Sequence, residues 1–152
     1  MELLSPLGDV YQAGTLSGNP VAMSAGVAAL AKARLPGFYE SLQVKMDALW
    51  GPVEEVLARS GINACVQRCG SMATLFFGAR SVLGRGEERL DDAHFREFYR
   101  FMLGRGIYLP PAHNESWFIS AAHTDEQIET VRDSVLEYLM CIYTNPDFKV
   151  RF

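Results

Sequence analysis

One stretch decides how the start of this chain folds: Val10-Tyr11-Gln12-Ala13-Gly14-Thr15-Leu16-Ser17-Gly18-Asn19-Pro20. It joins a loop of glycines and hydroxyl side chains to the start of a helix. Asn19 is a preferred N-cap residue, and Pro20 suits the first helical position because the N–H that proline lacks would have no partner there. Unpaired N–H groups at this helix start, the hydroxyls of Thr15 and Ser17, and the permissive backbone of Gly14 together predict a phosphate site that needs no cation.

The composition indicates a single globular domain. The chain has 152 residues, 49% of them hydrophobic, and a net charge of −4 that is scattered along the sequence. A mild acidic charge argues against a nucleic-acid partner. No apolar run approaches the roughly 20 residues of a membrane span, and the first residues lack the basic region of a secretory signal. We therefore expect a soluble, cytoplasmic protein with no nucleic-acid or membrane partner.

The cysteines and histidines do not have the spacing of a metal site. Three residues separate Cys65 from Cys69, and no second cysteine pair is present to complete a tetrahedral zinc site. We expect these two thiols and that of Cys141 to be buried and reduced. No metal is predicted.

Hydrophobic periodicity and turn residues predict four helices and four strands. The helices are expected at residues 20 to about 34, 38–60, 92 to about 103, and from 124 onward. The strands are expected at residues 64–68, 72–77, 107–109 and 116–121. Gly51-Pro52 should kink or divide the second helix, and residues 80–89 should form a disordered polar loop. This order of elements predicts an α+β fold with a small, mainly antiparallel sheet packed with helices.

Two segments resemble one enzyme family. Residues 10–20 and the small-residue helix after them, Val21-Ala22-Met23-Ser24-Ala25-Gly26-Val27-Ala28-Ala29-Leu30, resemble the phosphate loop of class III, fold-type I pyridoxal-phosphate enzymes, and specifically the glutamate-1-semialdehyde 2,1-aminomutase family. Gly106-Ile107-Tyr108-Leu109-Pro110-Pro111, then Glu115, then Phe118-Ile119-Ser120-Ala121-Ala122-His123-Thr124 resemble a second pattern of that family. The resemblance covers residues 7 to about 143.

The resemblance implies a fold, a cofactor and site residues. It implies that residues 1–19 form a phosphate-loop segment at the edge of a large domain, and that residues 20–152 form the C-terminal small domain with its leading helix. The implied cofactor is pyridoxal 5'-phosphate or pyridoxamine 5'-phosphate. Thr15 would bind its phosphate, Gly14 and Ser17 would shape the loop, and Glu115 would line the substrate site. In the family this threonine reaches the cofactor of the neighbouring subunit of a homodimer.

The lysine that this chemistry needs is not predicted within the chain. Pyridoxal-phosphate transamination requires a lysine amine to hold the cofactor covalently and to shuttle protons. Lys32, Lys45 and Lys149 do not stand in the family's lysine context, and in the family that lysine lies upstream of the phosphate loop. We therefore expect a C-terminal portion of an enzyme that isomerises a small amino-aldehyde, glutamate-1-semialdehyde, to the tetrapyrrole precursor 5-aminolevulinate. The portion alone should be inactive.

Two alternatives remain open. The loop Ala112-His113-Asn114 departs from the family's Ser-Gln-Phe-like run, so another class III aminotransferase with a different amine substrate also fits. A non-catalytic α+β interaction module would equally explain the missing lysine. His123 precedes the Thr124 helix cap, and we interpret it as a structural neighbour of that cap rather than as a catalytic base.

Overall fold

The computed structural model describes residues 2–84, 90–145 and 148–149. Within these ranges the elements in chain order are α1 (Pro20–Ala33), α2 (Phe38–Ser60), β1 (Ala64–Cys69), β2 (Met72–Phe77), α3 (Asp92–Gly104), β3 (Trp117–Phe118) and α4 (Asp125–Thr144). The chain divides into two compact units, Met1–Phe38 and Tyr39–Phe152. The part of the predicted disordered loop at residues 85–89 lies outside the described residues. No helix in the described ranges is long and apolar enough to cross a membrane.

The first unit consists of a closed N-terminal loop, a second turn and α1. Val10 donates its backbone N–H to the carbonyl of Leu3 at 2.9 Å, and Ser5 donates to the carbonyl of Val10 at the same distance. A Cβ on Gly8 would lie 2.3 Å from the carbonyl carbon of Leu3, so only glycine fits at this close approach. α1 begins at Pro20, as predicted, and none of its residues is buried.

The second unit is built around one apolar core. Its fully buried side chains come from every helix of the unit and from the central strand, and they include Trp50 of α2, Phe98 of α3, Tyr138 of α4 and Leu75 of β2. The rings of Trp50 and Trp117 are 4.9 Å apart between centroids, a separation typical of favourable aromatic pairs. The core thus joins α2, α3 and α4 to the sheet.

The sheet has three antiparallel strands in the order β1-β2-β3. β1 and β2 form the predicted hairpin, with Ala64 paired to Phe77, and β3 pairs Trp117 with Ala73. Because successive side chains point to opposite faces of a strand, Ala73 and Phe77 face the core while Thr74 lies on the other face.

The structure confirms the four predicted helices and the hairpin, and it corrects the prediction for α2. This helix runs unbroken from Phe38 to Ser60 with Pro52 inside it, so the predicted division is wrong. Proline removes one backbone donor, but Trp50 and Val53 on either side are fully buried, and packing of an amphipathic face supplies most helix stability.

Two predicted strands and one burial prediction also change. No strand forms at residues 107–109, because Ile107 donates its N–H to the carbonyl of Met102 at 3.0 Å and so extends the end of α3. The strand predicted at 116–121 is reduced to Trp117–Phe118, since the chain turns at Ser120. The expectation that the three thiols are buried is wrong: Cys65 and Cys141 are half-buried, and Cys69 is exposed because it ends β1 at the hairpin turn.

Candidate functional site

The predicted phosphate loop is formed by two overlapping turns in the first unit. Ser17 donates its N–H to the carbonyl of Gly14 at 3.0 Å, and Asn19 donates to the carbonyl of Leu16 at 3.0 Å. Gly18 lies between them with a φ of +81°, in the left-handed region that glycine adopts without strain. The turns close within residues 14–19 and lead directly into α1.

The start of α1 is already capped by its own side chain. The Oδ1 atom of Asn19 accepts hydrogen bonds from the N–H groups of Val21 at 3.0 Å and Ala22 at 3.1 Å. Met23 donates to the carbonyl of Asn19 at 2.9 Å, and Pro20 has no N–H to offer. The expectation that the amides at this helix start are unpaired is therefore wrong, because the cap that fixes the helix also occupies its donors.

The remaining donors lie in the turn itself. The side chains of Thr15 and Ser17 are exposed, and that of Thr15 makes no hydrogen bond to another described residue. A Cβ on Gly14 would lie 2.4 Å from Ser17 Oγ, so this hydroxyl occupies the space that glycine leaves open. No lysine or arginine precedes Lys32 in the sequence. Hydroxyl and backbone N–H groups are thus the donors that this turn offers to an anion.

Glu115 lies in the second unit, on the loop between α3 and β3. Its backbone N–H donates to the carbonyl of Ala112 at 3.1 Å, which closes a turn. Its side chain is exposed, and its carboxylate makes no ion pair or hydrogen bond with any residue in the described part of the chain. The loop therefore presents an available carboxylate.

Side chains on both sides of Glu115 attach this loop to the fold. Upstream, His113 Nδ1 pairs with Asp92 Oδ1 at the first residue of α3. Downstream, Thr74 Oγ1 donates to Ser116 Oγ at 3.3 Å, and Trp117 is buried in the core. No local pattern in the sequence indicates the His113–Asp92 pair, because the two residues are far apart in the chain and His113 belongs to no recognised motif.

A cleft of about 690 Å³ opens beside the same loop, along β1 and β2. Asn114 and Ser116 line it together with residues of β1 and β2, among them Thr74 and Arg68. The Arg68 guanidinium is bound to Asp47 at 2.6 Å and to Glu54 at 3.1 Å. The cleft therefore offers hydroxyl and amide groups, while its arginine is already neutralised by carboxylates.

Three other titratable side chains make contacts within the fold. His123 Nδ1 accepts the N–H of Ser120 at 3.0 Å, which agrees with its interpretation as a neighbour of the helix cap. Lys45 Nζ lies 2.8 Å from Asp125 Oδ1, so this lysine links α2 to the start of α4. Burial lowers the pKa of His94 from its ordinary value of 6.5, and its ring stacks on Phe77.

Comparison with curated proteins gives relatives that share one name. The glutamate-1-semialdehyde 2,1-aminomutase of Protochlamydia amoebophila is 43% identical over 140 residues, which are 91% of this chain and 32% of that protein. The protein of the same name from Thermomicrobium roseum is 48% identical over 130 residues, which are 85% of this chain and 30% of that protein. The chain spans about a third of the length of the curated relatives it matches. No protein-family model matches the chain.

Solved structures confirm the predicted fold. An ω-transaminase from Sphaerobacter thermophilus superposes with a TM-score of 0.68 at 25% identity, over 86% of this chain and 30% of that one. A transaminase with PLP bound superposes with a TM-score of 0.67 at 20% identity, over 92% of this chain and 31% of that one, and this second likeness shows the fold alone. The α+β arrangement is thus that of about a third of a transaminase chain.

Proposed function

The chain belongs to the glutamate-1-semialdehyde 2,1-aminomutase family, and on that premise we propose that it forms the C-terminal part of an enzyme converting glutamate-1-semialdehyde to 5-aminolevulinate. The proposal rests on identities of 43% and 48% to two proteins of that name, each over at least 85% of this chain. The reaction moves an amino group within the carbon skeleton of a small amino-aldehyde. Its product is the precursor of tetrapyrroles.

Pyridoxal phosphate, in its aldehyde or amine form, is the proposed cofactor. When bound, it supplies the conjugated ring that stabilises developing charge during amino-group transfer. The turn at residues 14–19 fits its phosphate, because Thr15 offers an exposed hydroxyl with no partner among the described residues, and the Ser17 hydroxyl lies beside Gly14 in the same turn. We assign phosphate binding to Thr15, with Gly14 and Ser17 shaping the turn. Hydrogen-bond donors, rather than a cation of this turn, would meet the phosphate charge.

Glu115 is assigned to the substrate side of the site. An ionised carboxylate only accepts hydrogen bonds, so it suits the amino group of the substrate better than the substrate carboxylate. Its exposed side chain is available for such a contact, since no described residue pairs with it. Its role would be to orient the amine.

The family resemblance supplies the remaining parts of the proposal. Residues 1–19 belong to the edge of the large domain and residues 20–152 to the small domain. The complete enzyme is a cytoplasmic homodimer in which Thr15 reaches the cofactor of the neighbouring subunit. The lysine that holds the cofactor lies outside this chain, so the chain alone is inactive.

A chimeric enzyme tests the proposal. The segment of the Thermomicrobium roseum relative that matches this chain is replaced by this chain, and the unmodified relative serves as the control. With pyridoxal phosphate and glutamate-1-semialdehyde but no added amino acceptor, we expect the chimera to form 5-aminolevulinate. A chimera that folds and binds pyridoxal phosphate, yet forms no product, would refute the proposed activity.

The second candidate function is an aminotransferase that releases its keto product between half-reactions. The likeness to the ω-transaminase at 25% identity favours it. The same chimera separates the two functions, because an aminotransferase turns over only when an external amino acceptor is supplied. Product formation that depends on an added keto acid would replace the mutase proposal with this one.

A further inference from the structure

The loop that carries Glu115 is held on its upstream side by a residue to which the family resemblance gives no role. We propose that His113 is a positioning residue that fixes the turn carrying the Glu115 side chain through its pair with Asp92. The proposal rests on the proposed function in one respect, namely the substrate-side role given to Glu115. Two experiments distinguish a failure of this positioning role from a failure of the proposed function.

His113 lies inside the turn that Glu115 closes. The Glu115 N–H donates to the carbonyl of Ala112, so His113 is one of the two residues that the hydrogen bond spans. Fixing the His113 side chain therefore restricts the backbone of the turn itself. The downstream contacts of Ser116 and Trp117 fix only the other end of the loop.

The partner of His113 belongs to a rigid element. Asp92 is the first residue of α3, and the preceding Asp91 caps this helix by accepting the N–H of His94 at 2.9 Å. The His113 ring also meets the edge of Phe95 on the same helix, with centroids 6.2 Å apart and planes at 84°. α3 thus provides a fixed reference for the loop, through one polar and one aromatic contact.

The contact between His113 and Asp92 does not require a charged imidazole. Nδ1–H is a donor in the protonated imidazole and in one neutral tautomer, so the contact with the Asp92 carboxylate survives loss of the imidazole charge. Partly exposed pairs contribute little to global stability. The consequence of losing this pair is therefore local disorder of the Glu115 turn rather than unfolding.

Hydrogen exchange on the 152-residue chain tests the positioning. We expect His113→Ala to speed exchange of the Glu115 amide roughly two- to fivefold, the size expected for a partly exposed pair. His113→Asn should restore slow exchange, because its Nδ2–H donor lies at the same number of bonds from Cα as Nδ1. His123→Ala is the matched control, since that histidine bonds to Ser120 in a different loop. Unchanged Glu115 exchange in His113→Ala would overturn the proposal.

A double-mutant cycle in the chimeric enzyme tests whether His113 acts through Glu115. We expect His113→Ala to lower kcat/KM roughly two- to fivefold when Glu115 is present and to have little effect in a Glu115→Gln background. Equal losses in both backgrounds would mean that His113 has only a general structural role, and would overturn the proposal. If the chimera is inactive, the proposed function fails, and the exchange measurement still decides whether His113 orders the turn.

Discussion

Replacing Thr15 by valine tests the phosphate site most directly. Valine keeps the β-branched shape and replaces only the hydroxyl group by a methyl group. Because the Thr15 side chain is exposed and has no hydrogen-bond partner in the described part of the chain, the substitution breaks no internal contact. We therefore expect the free energy of unfolding to stay within about 0.5 kcal/mol of the original value.

The expected loss of cofactor affinity follows from one bond. A hydrogen bond from a hydroxyl to a phosphate is charge-assisted and contributes about 1.5 to 3 kcal/mol. That loss corresponds to a roughly 10- to 150-fold rise in Kd for pyridoxal phosphate. No lysine or arginine precedes Lys32, and Asn19 already occupies the amides of Val21 and Ala22. The turn therefore has no cationic side chain, and the start of α1 has no free amide at Val21 or Ala22, to replace the hydrogen bond of the missing hydroxyl.

The assay is titration of the chimeric apoenzyme with pyridoxal phosphate, monitored by absorbance. Thr15→Ser is the matched control, since it keeps the hydroxyl and loses only the methyl group, and its Kd should stay near that of the parent. An unchanged Kd in Thr15→Val would remove Thr15 from the site. Equal weakening in both variants would show that the hydroxyl alone does not carry the contact.

Four further results are expected of the 152-residue chain. Thr124→Ala removes the acceptor of the Gln127 N–H in the capping box of α4, and it should lower the free energy of unfolding in urea by about 1 kcal/mol. Thr144→Ala, at the other end of the helix, should lower it by less. Leu139→Ala, at a fully buried position, should cost about 2 to 5 kcal/mol in the same assay. Burial holds the pKa of His94 below 6.5, so as the pH drops below 6.5 the unfolded state binds a proton at this histidine more readily than the folded state does. The free energy of unfolding should therefore fall with the pH in that range. His94→Phe should reduce this pH dependence in unfolding curves. Borohydride reduction with pyridoxal phosphate should give no stoichiometric adduct at a single lysine by mass spectrometry, and such an adduct would contradict an upstream catalytic lysine.

Helix boundaries were predictable where the signal is local. Asn19 accepts the N–H groups of residues two and three positions ahead, and Thr124 accepts that of Gln127, so each cap lies within a few residues of the helix that it starts. The continuity of α2 through Pro52 was not predictable in this way. It depends on the burial of Trp50 against Trp117, a residue more than sixty positions away.

The candidate site was predictable in part. The turn that contains Gly14 and Thr15 follows from local glycine and hydroxyl residues, but counting its donors required the structure, because the Asn19 side chain removes two of them. Only the family resemblance predicts a role for Glu115. The contact between His113 and Asp92 depends on where α3 begins relative to a distant loop, and no local pattern encodes that distance.

The turn that contains Thr15 and the loop that carries Glu115 are held in shape by different kinds of contact. The donors around Thr15 are arranged by hydrogen bonds within residues 14–19, so this turn requires no buried side chain to define its shape. The loop that carries Glu115 is held by contacts of its neighbours with α3, β2 and the core, including burial of Trp117. On the roles proposed for Thr15 and Glu115, changes in the loop around Glu115 would alter substrate preference while the phosphate turn is kept. This separation agrees with the sequence, where residues 10–20 resemble the aminomutase pattern and residues 112–114 depart from it.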